Sequence, residues 1–201
     1  MPLLPMLLLL WQTNAPPSNT PAAAVRAYFD LPQYVHALAA PTTDRQAFIV
    51  KQRLSDRFRA IFADTLLRDY LGWLESSSLE TEDLPILANR IGDVARVSID
   101  TDAASRRMAF VSATADVKQV FSEDVGLYDV GDLFVRFPIG NVTREHVEDQ
   151  LRREPVPESL SFEVTSTKRY VFKLIESGGG WRITEVWERT VRSDLTIERP
   201  H

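Results

Sequence analysis

The chain has 201 residues, no cysteine, and a formal charge of −5 from 23 basic and 28 acidic side chains. The missing cysteines exclude disulfides, thiol nucleophiles, Cys-ligated zinc and a lipoprotein anchor. The acidic balance, with basic pairs only at Arg106-Arg107, Arg152-Arg153 and Lys168-Arg169, excludes the clustered positive charge that nucleic acid requires.

Residues 1–19 are set apart from an expected single domain at 20–201. The apolar run Leu3–Trp11 is too short to span a bilayer, which takes about 20 residues. It suits the apolar region of an export signal, with Thr13 and Ala15 spaced like a signal-peptidase site. On this reading the mature protein is periplasmic or secreted. The alternative is a tail on a cytoplasmic protein, since no Lys or Arg precedes the run and Pro16 would follow the cut.

Thr20 as N-cap and Pro21 in the first turn start a helix through "AAAVRAYF", interrupted at Leu31-Pro32 and followed by the short piece "QYVHALAA". Apolar residues at three- and four-residue spacing, from Phe48 to Leu74, predict one long helix over 44–75 with a break near Gly72. "SSSLETEDLP" reads as a polar loop. The period then changes to two. "DVARVSID" and "RRMAFVSATADV" predict a hairpin, "DLFVRFPI" a short strand closed by Pro138, and "TREHVEDQLRREP" a helix capped by Thr143. Two long strands follow, joined by Gly178-Gly179-Gly180. These glycines lack both the following helix N-terminus and the GxxxxGK[ST] spacing of a phosphate cradle, so they predict a hairpin turn. Helices first and an antiparallel sheet after them make an α+β fold, with helices packed on one sheet face.

Val25, Tyr28 and Phe29 in the first helix, with "VFKLIESGGGWRITEVW" at 171–187, resemble the NTF2-like (cystatin-like α+β) superfamily. The resemblance implies a cone in which a bent sheet wraps the helices and leaves a pocket at its open end. It does not choose among functions, because that superfamily hosts isomerases, dehydratases, cyclases, transport factors and binding modules.

Alternation along the last strand puts Trp181, Ile183, Glu185 and Trp187 on one face, read as the buried one. With Tyr170 and Phe172 from the preceding strand, Trp181, Ile183 and Trp187 are the candidate ligand-binding residues. A carboxylate at Glu185 would there be desolvated and suited to acid–base work. The bland reading is that a bulge turns it outward or that it pairs with a cation. Asp116 is the second weak catalytic candidate, because isomerase-like relatives use a strand-borne carboxylate as base. His36, His146 and His201 form no metal-ligand spacing, and the acidic "SEDVGLYDVGDLF" does not follow a calcium loop; no metal and no cofactor are expected. The preferred expectation is a binding module for a small apolar ligand or a protein partner, without catalysis and with a homodimer through the outer sheet face as an option. The alternatives are an isomerase- or cyclase-like enzyme and a structural subunit of an envelope assembly.

Overall fold

The computed structural model describes residues 18–79, 83–105, 107–123, 127–152 and 160–198. The apolar run Leu3–Trp11, Asp124, Pro155 and His201 lie outside them. The elements in chain order are α1 (Pro21–Phe29), α2 (Leu31–His36), α3 (Asp44–Ile61), α4 (Asp64–Ser76), α5 (Asp83–Ile91), β1 (Asp93–Ala104), β2 (Met108–Glu123), α6 (Leu127–Arg136), α7 (Arg144–Arg152), β3 (Leu160–Ser177) and β4 (Gly180–Glu198). The four strands form an antiparallel sheet in sequence order. Two groups of helices cover one face of it, so the α+β layering read from the sequence is the observed one.

Local chemistry sets several boundaries as expected. The Ala23 N–H donates to Thr20 Oγ1 at 3.1 Å, and the His146 N–H donates to Thr143 Oγ1 at 3.2 Å, so both caps are in place. Gly178 and Gly179, with φ of 62° and 81°, form the two-residue turn of the β3–β4 hairpin, which needs positive φ at both positions.

Other boundaries differ. The helix expected over 44–75 is two helices, broken at Phe62-Ala63 and not at Gly72. There the chain turns extended and the Ala63 N–H donates to the Ile183 carbonyl of β4 at 2.9 Å, a sheet bond no helical residue could make. Phe48 begins the apolar periodicity but is 68% exposed; the buried stripe runs through Val50, Leu54, Phe58 and Ile61. The last three residues of the stretch read as a polar loop, Asp83-Leu84-Pro85, instead begin helix α5, with Pro85 in its first turn, where a missing N–H costs nothing. "DLFVRF" is helical, not a strand. Leu133 and Phe137, four residues apart, both face β3 and β4, and this burial overrides the β propensity of the sequence.

The larger core lies under α1–α5. Ala109, Ala113 and Ala115 of β2 are small, and α1 packs Ala24, Val25, Tyr28 and Phe29 in the same buried cluster. Tyr28 and Phe29 meet Tyr170 and Phe172 edge-on at centroid distances of 5.1–6.5 Å, and Phe62 stacks on Tyr70 at 4.3 Å. A smaller core under α6 and α7 joins Leu133, Phe137 and Val147 to Phe162, Val164 and Leu195.

The free edge of β4 is held at three places. The Trp181 N–H donates to the Ser18 carbonyl, Ala63 bonds to Ile183, and the segment Pro138–Gly140 exchanges two backbone bonds with Ser193. Asn141 continues that last contact with its side chain, accepting from the Leu195 N–H at 2.8 Å and donating to the Leu195 carbonyl at 2.9 Å. Asn89 does the same for β2 at Val120, just past the end of the β1 pairing.

Candidate functional site

Even-numbered residues of β3 from Phe162 to Leu174 face the helices, and all are buried. At either end they are apolar: Phe162 and Val164 belong to the smaller core, Tyr170, Phe172 and Leu174 to the larger. Between the two cores stand Ser166 and Lys168. Ser166 is closed by Ser193 of β4, the hydroxyls 2.7 Å apart and both buried. The side chain of Lys168 is only 4% exposed; its ammonium lies 3.3 Å from Glu188 Oε1 and 5.8 Å from the centroid of the Phe137 ring.

Glu188 reaches this place through an irregularity in β4. Leu174 pairs with Ile183 and Lys173 with Glu185, so Thr184 is an extra residue, a bulge. The bulge reverses the side-chain phase. Ile183 faces the helices, but beyond Thr184 that face is taken by Val186, Glu188 and Thr190, opposite Phe172, Tyr170 and Lys168. A second irregularity at Val191 restores the phase and sends Ser193 and Leu195 inward. The carboxylate on the helix-covered face is therefore Glu188, while Glu185 points to the outer face and pairs with Lys173 Nζ at 2.6 Å.

The same bulge corrects Trp187, which lies on the outer face beside Val171 and is 47% exposed. Tyr170, Phe172 and Ile183 do face the helices, where Tyr28, Phe29, Phe58 and Phe62 fill the space around them. Trp181 is partly buried at the rim, beside the Ser18 attachment. Asp116 is on the outer face as well. Its carboxylate accepts from the Arg96 guanidinium at 2.8 and 3.1 Å and from the Thr167 hydroxyl at 2.9 Å, and these bonds hold it below the usual carboxylate range. Glu185 and Asp116 each have their own cation and share no site.

Glu188 stands opposite Tyr170 in the β3–β4 register, and its charge is felt by three tyrosines. Burial raises the Tyr28 phenol well above its ordinary value, with Tyr70, Tyr170 and Glu188 adding to the effect. Burial also raises Tyr170, again with Glu188 behind it, and pushes Tyr70 up to about 12 against the opposing pull of Arg90. At neutral pH all three are uncharged hydroxyls, able to donate. The Tyr170 oxygen is fully buried and has no hydrogen-bond partner. That is a costly state for a polar atom, worth about 1–3 kcal/mol. A buried ammonium, an unpartnered phenol and a half-exposed carboxylate make an arrangement that can donate hydrogen bonds to an acceptor.

The two covering segments attach at Ile183 and at Ser193, and between them Glu188 is half exposed. Among the described residues, no three His, Cys, Asp or Glu side chains lie where they could hold a metal ion, and no helix is long and apolar enough to cross a membrane.

Sequence reasoning missed both Lys168 and Glu188. The signal for Lys168 was present: alternation carried back from Tyr170 puts it on the buried face. For Glu188 there was none, since the bulge at Thr184 leaves no mark on composition. Comparison with protein-family models, curated proteins and solved structures finds no match.

Proposed function

We propose that this chain is a non-catalytic binding module of NTF2-like type, with a small, largely apolar ligand held on the helix-covered sheet face at Lys168, Tyr170 and Glu188. The observation that carries this reading is the buried Tyr170 hydroxyl left without a partner, on the same strand face as the buried Lys168 two residues away. A packed core avoids that combination, whereas a binding site keeps donors ready for its ligand. The Phe137 ring beside the ammonium suits an apolar body. Titration with N-phenyl-1-naphthylamine, an uncharged apolar fluorophore, is expected to show saturable binding. Thr190→Trp, which places a large ring beside Lys168, is expected to weaken it by about tenfold, a loss of roughly 1.4 kcal/mol. Binding that is absent, or unchanged in a folded Thr190→Trp variant, removes the reading.

The outer face favours a second reading, a protein partner in the form of another copy of the chain. Met108, Phe110, Val171 and Trp187 are between 40% and 47% exposed on neighbouring strands of that face. Light scattering is expected to give a dimer mass that Trp187→Glu returns to a monomer; a wild-type monomer at its highest soluble concentration refutes the dimer.

A further inference from the structure

We infer that the ligand of the Lys168 site is a monocarboxylate with an apolar body, and that Glu188 is a resident counter-ion which such a ligand displaces; the inference rests on the binding reading above. With Glu188 in place the Lys168–Glu188 pair is neutral, and with Glu188 swung aside the positive charge of Lys168 is left unmatched. One cation balances one carboxylate but not a phosphate dianion, whose second charge would be left unpaired in a poorly solvated place.

Geometry agrees with the exchange. Lys168 is fixed by burial, its side chain 4% exposed, whereas Glu188 is 49% exposed and can turn into water once another anion takes its place beside the ammonium. The pair is loose for an ammonium–carboxylate contact, at 3.3 Å. Glu188 accepts one bond from Lys168. Tyr170, its direct cross-strand neighbour, keeps its proton unused. The ligand carboxylate takes the place of Glu188 opposite Tyr170 and accepts from the Lys168 ammonium. The Phe137 ring beside the ammonium then meets the carbon chain.

The test compares octanoate with 1-octanol by titration calorimetry on the full chain. The two differ only in the head group, and calorimetry needs no reporter dye. Wild type is expected to bind octanoate about tenfold more tightly than the alcohol, the difference made by a charge-assisted bond. Lys168→Met is expected to abolish that preference while still binding the alcohol. Glu188→Gln, which removes the competing charge, is expected to tighten octanoate by about threefold and to leave the alcohol unchanged. Equal affinity for acid and alcohol in the wild type overturns the carboxylate inference but leaves a binding module. So does a preference that survives Lys168→Met. If neither compound binds, both readings fall. Near-ultraviolet circular dichroism of each variant shows whether the core is intact. Should Lys168→Met not fold, Glu188→Gln, at a half-exposed position, still decides the matter: octanoate affinity that does not rise overturns the exchange.

Discussion

Phe172→Ala is expected to lower the free energy of unfolding by about 3–5 kcal/mol, read from equilibrium denaturation in urea. The ring is wholly buried and touches Tyr28, Phe29 and Tyr170. Truncation removes both its transfer free energy and its partners' contacts, and helices pinned by Phe62 and Ala63 to β4 cannot collapse into the gap. The sequence puts Phe172 in a ligand pocket, and the experiment separates the two roles. A residue on an open pocket wall would lose well under half of that stability, and the same variant would change ligand binding instead. A loss below about 1.5 kcal/mol would mean that the space around Phe172 is not filled.

Gly92→Ala is expected to cost roughly 2–5 kcal/mol in the same measurement. Gly92 ends α5 and starts the turn into β1, donating its N–H to the Ala88 carbonyl at 3.0 Å with φ of +85°. An L-residue in that conformation costs about 1–2 kcal/mol. The added methyl would also stand 2.4 Å from Val117 Cγ1, 2.7 Å from Gln119 Cγ and 2.8 Å from the Lys118 carbonyl oxygen. The carbonyl is backbone within a sheet and cannot give way, so overpacking adds about 1–3 kcal/mol. Gly179→Ala is the control, because φ is +81° there too but nothing lies within 4 Å of the new methyl. If the two substitutions cost the same, the close approach of α5 to β2 is not what fixes Gly92.

The layering of this fold was legible because it follows from period alone. The caps at Thr20 and Thr143 and the glycine hairpin were legible because each rests on a few adjacent residues. What was not legible depends on distant partners. The break at Phe62-Ala63 exists because Ile183 accepts a bond there, and α6 is helical because β3 and β4 offer a surface to Leu133 and Phe137. The candidate site was half legible. Tyr170 and Phe172 were placed on the correct face by alternation, but one bulge at Thr184 exchanged Glu185 for Glu188 and turned Trp187 to the outside. A one-residue bulge thus decides which carboxylate, Glu185 or Glu188, stands on the helix-covered face. Lys168 was overlooked because a lysine in a strand is normally read as solvated, and burial of its stem is invisible without the register.

The three attachments along the β4 edge tie together parts of the chain that are remote in sequence: Ser18 at its beginning, Ala63 near its first third, and Pro138–Asn141 between the two helix groups. Both hairpins of the sheet can form from neighbouring residues, but these clasps require the whole chain to have arrived. They are therefore steps of late assembly, and they oppose piecemeal opening of the folded protein. Until they close, β4 presents a long unpaired border on which another chain could template itself. After they close, the described residues leave β4 uncovered between Ile183 and Ser193, the interval that holds Glu188 and the proposed site.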